Sequence, residues 1–379
     1  MDDFQVFVKP VGASCNLACS YCYYLEKSDL YTDEKHPRMS EELLEMYILK
    51  HIQASAEPSI FFSWHGGEPT LAGLEYFQRI IEFQKKHLPA NRTALNGIQT
   101  NGTLLNDEWC RFLKEENFII GISLDGPEQF HSINRFRKDG KSSFDEVLRG
   151  FQLLKTHQIP CEILCVVHAQ NVWHPLEVYR FFKSLNARFL TFIPLVERLY
   201  PENNQVSERT VPAKAFGEFL CTIFDEWKTK DIGTVKIQIF EEALRTAFGL
   251  EHSLCIFKPV CGRVPVVEHN GDFYSCDHFV DPAHLVGNIR QKSLSELLES
   301  TQQIAFRQAK SDTLPNYCLN CEVQEMCNGA CPKDRFIETP DGEPGLNYLC
   351  EGYKLFFNRC KPFVDEVAQI WRSPCKKRK

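Results

Sequence analysis

The sequence predicts an α/β protein: a partial, TIM-like (β/α)6 barrel followed by a cysteine-rich domain that closes on a C-terminal helix. Three observations predict it. Short β-branched and aromatic runs alternate with amphipathic helical stretches through residues 1–234, as parallel βα units do. Polar, glycine-rich sequences stand at the ends of the early strand candidates, where a βα barrel gathers its active site. From residue 235 to 379 the alternation stops and cysteines crowd in, which sets the expected boundary between two domains.

The strand candidates are Gln5–Lys9, Ser59–Trp64, Ala94–Gln99, Ile119–Ser123, Cys161–Val167 and Phe189–Ile193. Helical periodicity fills the gaps at about 40–54, 73–87, 106–116, 143–157 and 175–184, and a sixth helix is expected near 211–229. Six units fall short of the eight that close a full barrel. Cys15-x3-Cys19-x2-Cys22 follows the first strand and His65-Gly66-Gly67-Glu68-Pro69 the second. Gln99-Thr100-Asn101-Gly102 closes the third, and Ser123-Leu124-Asp125-Gly126-Pro127 the fourth. Gly66-Gly67 taken alone reads as a tight turn; its place in this series gives it more meaning.

The three-cysteine run carries the most chemistry. A cubane iron–sulfur cluster has four irons and normally takes four thiolates. Three thiolates this close, with no fourth beside them, leave one iron open to bind something else. A zinc site completed by one of the 12 histidines is the competing reading of the spacing alone.

The second domain holds Cys255, Cys261 and Cys276, then Cys318-x2-Cys321-x5-Cys327-x3-Cys331, and finally Cys350. Asn270-Gly271-Asp272, between Val264–Glu268 and Phe273–Cys276, is a hairpin signal that would draw Cys261 towards Cys276. Eight cysteines suffice for two fully ligated cubanes, and a pair of zinc-ribbon sites is the alternative. Cys110, Cys161, Cys165, Cys221, Cys360 and Cys375 show no ligand spacing and read mostly as small buried hydrophobes.

Bulk properties narrow the setting. The chain has 379 residues, 43% of them hydrophobic and 25% charged, as in ordinary globular proteins. A net charge of -7 argues against a nucleic-acid surface, and the short basic tail Lys376-Lys377-Arg378-Lys379 does not reverse it. The acidic start Met1-Asp2-Asp3-Phe4 lacks the pattern of an export signal, and no run of apolar residues is long enough to span a membrane. A cytoplasmic protein is expected, with its 17 cysteines reduced and available as ligands.

The Cys15–Cys22 spacing resembles the signature of the radical S-adenosylmethionine (SAM) enzymes, whose open iron chelates the methionine end of SAM. Gly66-Gly67-Glu68-Pro69 is similar to that family's Gly-Gly-Glu-Pro motif, so Gly67 and Glu68 are implied at the SAM amino group. Ser123 and Arg135 resemble positions that hold the SAM ribose and carboxylate. Tyr21 stands where the family packs a ring near the adenine, and Leu195-Val196 after the sixth strand would supply a further wall, with Val196 the candidate contact. The second domain resembles the SPASM extension of peptide-modifying radical SAM enzymes. That likeness implies one auxiliary [4Fe–4S] cluster on Cys255, Cys261, Cys276 and Cys331, and a second on Cys318, Cys321, Cys327 and Cys350.

From Val8-Lys9-Pro10 to the last helix the chain resembles the anaerobic sulfatase-maturating enzymes. Tyr274-Ser275-Cys276-Asp277-His278-Phe279 and Leu346-Asn347-Tyr348-Leu349-Cys350 carry the narrower match. The resemblance implies three [4Fe–4S] clusters, SAM, and a reductant such as flavodoxin or ferredoxin. It further implies that a Cys or Ser in a sulfatase precursor is oxidised to Cα-formylglycine after a 5′-deoxyadenosyl radical removes a Cβ hydrogen. Asp277 is then the base. An ordinary carboxylate accepts a thiol proton roughly 6 kcal/mol uphill; burial is expected to raise the carboxyl pKa, and a neighbouring carbon radical to acidify the thiol. Tyr24 and His65 flank the same expected cavity and read equally as hydrogen-bonding partners of the substrate side chain or as satisfied structural polar groups. Three other readings compete: a SPASM enzyme that crosslinks another ribosomal peptide, a non-enzymatic electron carrier, and a zinc-bearing binding module.

Overall fold

A computed structural model describes residues 4–32, 37–199 and 204–372. Met1-Asp2-Asp3, Cys375 and the basic tail lie outside the described residues. The chain forms two compact units that interleave along the sequence. One takes residues up to Leu124, with Glu128–Ile163 and Arg263–Arg307; the other takes Asp125–Pro127, Leu164–Gly262 and the chain from Gln308 onward.

The first unit is built on a parallel sheet. Phe7–Val8, Ser59–Trp64, Thr93–Thr100 and Ile119–Ser123 lie side by side, with Phe7 opposite Ser63, Ser59 opposite Thr93 and Gly97 opposite Ile119. Helices Glu41–Ala54, Leu74–His87, Asp107–Glu115 and Phe144–Thr156 fall within a residue or two of the predicted spans. Local signals start two of them: the Ser40 side chain accepts from Leu43 N–H and Asn106 from Trp109 N–H, each relieving a helix-end donor. Tyr47, Phe62, Trp64 and Phe77 fill the space between sheet and helices.

The predicted hairpin is present. Val266–Val267 pairs antiparallel with Asp272–Tyr274, and Gly271 turns it with a φ of 94°. It joins the first unit's sheet: Val266–Val267 runs parallel to Phe7–Val8, and Asp272–Tyr274 then pairs with Leu285–Asn288. This covers the edge that Phe7–Val8 would otherwise expose, and it sets the residues after Tyr274 beside the loop after Val8.

In the second unit Phe189–Pro194 runs parallel to a short strand, Lys236–Ile237, that the sequence pattern does not announce. The strand Cys161–Val167 is divided between the units at Ile163. Helices Pro175–Ser184 and Ala213–Lys230 match their predicted spans, and Cys350–Arg372 is the expected last helix. The last helix crosses Ala213–Lys230 at two glycines; a Cβ on Gly352 would stand 2.1 Å from the Ala213 carbonyl oxygen. Arg335–Glu338 and Pro344–Asn347 form a separate antiparallel hairpin. Among the described residues no helix is long and apolar enough to cross a membrane.

Candidate active site and cluster-ligand sites

The loop after the first strand is pinned by hydrogen bonds at several points. Ala18 N–H donates to Phe136 O at 2.8 Å and Ser20 N–H to Asn134 O at 2.9 Å. Asn101 donates to Asn16 Oδ1 at 2.9 Å, and Asn16 to Thr103 Oγ1 at 2.8 Å. Leu17 N–H points at Cys15 Sγ at 3.4 Å, as suits a thiolate ligand. Burial pushes the Cys15 thiol up to about 12; the Leu17 N–H opposes this, while Glu68, Cys19 and Cys22 add to it. A thiol that resists ionisation, with two more cysteines crowding it, fits a site where iron takes the place of the proton.

The Gly-Gly-Glu-Pro loop is locked against the cysteine loop. Gly67 N–H donates to Gly12 O at 2.9 Å and Glu68 N–H to Ser14 O at 2.8 Å. A Cβ on Gly67 would lie 2.1 Å from Ser14 O, so only glycine fits. Glu68 is fully buried, and burial raises its pKa. Its carboxylate accepts from Thr70 N–H and Oγ1 at 3.1 and 2.6 Å, from Thr100 Oγ1 at 2.7 Å and from Asn101 N–H at 2.7 Å. Glu68 thus ties together the ends of the second and third strands, while the glycines beside it keep part of their backbone exposed.

The other predicted SAM contacts divide between the units. In the first, the Arg135 guanidinium lies 5.3 Å from the centre of the Tyr21 ring, both side chains buried, and Ser123 Oγ accepts from Gln99 at 3.1 Å. Val196 lies in the second unit, half-buried just after Phe189–Pro194, and Leu195 is buried.

Asp277 follows the hairpin and is buried. Lys9 Nζ stands 2.5 Å from its Oδ1, and the Tyr23 hydroxyl donates to its Oδ2. Burial alone would raise this carboxyl, as the sequence suggested. The positive charge of Lys9, helped by His278 and His65, overturns that expectation and brings the pKa down to about 2. Tyr23 as a whole is 49% exposed and its ring stacks on His278, while its hydroxyl reaches Asp277; burial and the Asp277 charge hold that hydroxyl protonated.

Tyr24 and His65 have protein partners. The Tyr24 hydroxyl donates to Glu268. His65 Nε2 lies 2.9 Å from Ser63 Oγ and its ring stacks on Phe7 at 4.0 Å; burial and Lys9 drop its pKa to about 3, so it is neutral. The sequence reading passed over Lys9 and Tyr23. A lysine closing an apolar strand is the signal for the first; for the second there is only adjacency to Cys22.

Of the eight later cysteines, Cys276 belongs to the first unit and Cys255, Cys261 and Cys331 to the second. Cys318, Cys321, Cys327 and Cys350 line a single pocket in the second unit, together with Val323 and Leu346. Burial pushes Cys327, Cys331 and Cys350 up to about 12. Among the described residues no three Cys, His, Asp or Glu side chains converge tightly enough for one bare metal ion. A cubane spreads its thiolates over separate irons, and a ring of four cysteines around a pocket suits it. Cys110, Cys165 and Cys360 are buried away from this pocket's lining, while Cys161 and Cys221 are partly exposed.

Comparison with known proteins identifies the family. Residues 10–182 match the Radical SAM superfamily, and residues 260–322 an iron-sulfur cluster-binding domain, SPASM. The chain is 44% identical over 373 residues to a serine-type anaerobic sulfatase-maturating enzyme of Bacteroides thetaiotaomicron, covering 95% of this chain and 90% of that one. It is 34% identical to a cysteine-type enzyme of Clostridium perfringens, covering 97% and 99%. The solved structure of native anSMEcpe with bound AdoMet and Kp18Cys peptide superposes with a TM-score of 0.88 at 33% identity, over 97% of this chain and 99% of that one.

Proposed function

The chain belongs to the anaerobic sulfatase-maturating family of radical SAM enzymes, and from that premise we propose that it oxidises a Cys or Ser side chain of a sulfatase precursor to Cα-formylglycine. One observation carries the reading. Tyr23 and Asp277, each the residue directly after an expected ligand cysteine, are hydrogen-bonded to each other. A buried carboxylate therefore sits where the Cys22 loop meets the Cys276 loop.

Cys15, Cys19 and Cys22 would hold the cluster that binds SAM. Cys255, Cys261, Cys276 and Cys331 would hold one auxiliary cluster, and Cys318, Cys321, Cys327 and Cys350 the other. The SAM contacts proposed are Tyr21, Gly67, Glu68 acting through its loop, Ser123, Arg135 and Val196. Residues 1–234 would form the radical SAM part and 235–379 the auxiliary part. The chemistry that SAM and the clusters supply when bound is hydrogen-atom removal and one-electron transfer.

What the chain's own groups do follows from their charges. Asp277 is ionised at neutral pH and its proton-accepting oxygens face Lys9 and Tyr23. With a pKa of about 2 it is a weak base for an ordinary thiol, by roughly 9 kcal/mol. Proton transfer to Asp277 must therefore come after Cβ has lost its hydrogen, when the thiol or hydroxyl is far more acidic. Lys9 fixes the carboxylate's position, and Tyr23 orients its second oxygen.

The protein is proposed to work in the cytoplasm with a small electron donor such as flavodoxin or ferredoxin. The test is direct. Reconstituted and reduced protein is given SAM and a peptide containing Cys-x-Pro-x-Arg, or its Ser counterpart, and the peptide mass is followed. Conversion of the target residue to formylglycine supports the reading. Deoxyadenosine formed beside an unchanged pair of peptides sinks it.

A further inference from the structure

Two basic side chains of the second unit sit among the cysteines and have no part in the chemistry above. Arg335 spends its guanidinium on backbone carbonyls: Nε donates to Gly329 O at 2.8 Å, Nη1 to Lys310 O at 2.6 Å and Nη2 to Asn328 O at 2.8 Å. The segment it grips, Asn328-Gly329-Ala330, has three successive left-handed residues, with φ of 47°, 68° and 51°. Asn and Ala hold that conformation only where the surroundings enforce it. The segment joins Cys327 to Cys331, one cysteine from each proposed auxiliary set. Gly329 itself lines the pocket of Cys318, Cys321, Cys327 and Cys350. Lys310, whose carbonyl receives Nη1, sends its own Nζ to the carbonyls of Cys255 and Ile256 at 2.9 and 2.8 Å. A chain of hydrogen bonds thus runs from the backbone of Cys255 through Lys310 and Arg335 to the Cys327–Cys331 loop.

We propose that Arg335 is a positioning residue shared by the two auxiliary clusters, which clamps the loop between them and, through its fixed positive charge, raises the reduction potential of both. The proposal rests on the assignment of the eight cysteines made under the proposed function. A tetrathiolate cubane gains negative charge on reduction, so a nearby cation favours the reduced form. The guanidinium cannot lose its proton in a protein, so its contribution is constant with pH. Once ionised as ligands, Cys318, Cys327, Cys261 and Cys331 would all act on its charge, so it lies within electrostatic reach of both sets. At an effective dielectric of about 20, a unit charge within about 10 Å shifts an equilibrium by roughly tenfold.

The test uses the full chain with Cys15, Cys19 and Cys22 all changed to Ala, so that only auxiliary clusters remain, and follows each cluster's signal in a redox titration. Arg335→Gln is expected to lower the reduced-to-oxidised ratio about tenfold at a given potential, a shift of about 59 mV for one electron. Arg335→Lys keeps the charge without the fork and is expected to stay within twofold of the parent. Iron and sulfide analysis accompanies each titration. Arg335→Gln with clusters intact and potentials unchanged overturns the proposal. If Arg335→Gln cannot hold its clusters, Arg335→Lys decides: potentials at the parent values support the role of the charge, and a tenfold fall overturns it. A parent protein that holds no iron removes the auxiliary-cluster assignment and the proposal with it.

Discussion

Lys9 and Asp277 form an ion pair of 2.5 Å with side chains only 2% and 9% exposed, one from the first strand's end and one from the turn after the hairpin. Removing one partner of such a pair leaves a buried charge, at a cost of about 3–5 kcal/mol. Lys9→Met is expected to lower the unfolding free energy of the cluster-free protein by that amount. The pair's share of stability is present above the unfolded aspartate pKa and is lost as pH falls towards about 2, so the deficit should shrink between about pH 4 and pH 2. Denaturant titrations over that range measure it; a deficit that stays constant with pH contradicts the pairing.

Gly67→Ala should abolish the fit of the Gly-Gly-Glu-Pro loop. Its Cβ meets a backbone oxygen at 2.1 Å, and backbone cannot step aside as a flexible side chain would. SAM affinity is expected to fall at least tenfold, while the clusters of the second half still load. Equilibrium dialysis with labelled SAM and iron analysis separate the two effects. Wild-type affinity would mean that the loop is not where SAM is held.

The protein without clusters should lose stability at alkaline pH. Cys15, Cys327, Cys331 and Cys350 have folded pKa values of about 12, above the unfolded value near 8.5. A raised pKa gives stability that is complete below the unfolded value and is lost as pH climbs towards the folded one. The melting temperature of the cluster-free chain should therefore fall between about pH 8.5 and pH 11. Cluster loading removes those protons, so the loaded protein should not share this fall. Parallel melting curves of the two forms would show it, and equal slopes would count against the four thiols as ligands.

How far the sequence reached is visible residue by residue. The helices and the longer strands were legible because their signals are local: β-branched runs, helical periodicity, and caps such as Ser40 and Asn106. The cysteine spacing and the hairpin turn at Gly271 were legible for the same reason. Lys236–Ile237 was not, since two residues carry no period. The pairing of Val266–Val267 with Phe7–Val8 joins distant parts of the chain and leaves no local trace. The direction of the Asp277 shift failed on the same ground. Burial can be guessed from an apolar neighbourhood, but the cation that outweighs it comes from the first strand. For Tyr24 and His65 the sequence left a substrate contact and a structural role equally open, because Glu268, Ser63 and Phe7 could not be seen beside them.

If Asp277 takes a proton from the substrate after SAM has been cleaved, its loss should uncouple the two products. The deciding quantity is the ratio of formylglycine to 5′-deoxyadenosine made by Asp277→Asn on a target peptide. Asn is close in shape to Asp but is a far weaker base, so deoxyadenosine should still form while formylglycine drops at least a hundredfold. Formylglycine at the wild-type yield in that variant would contradict the claim.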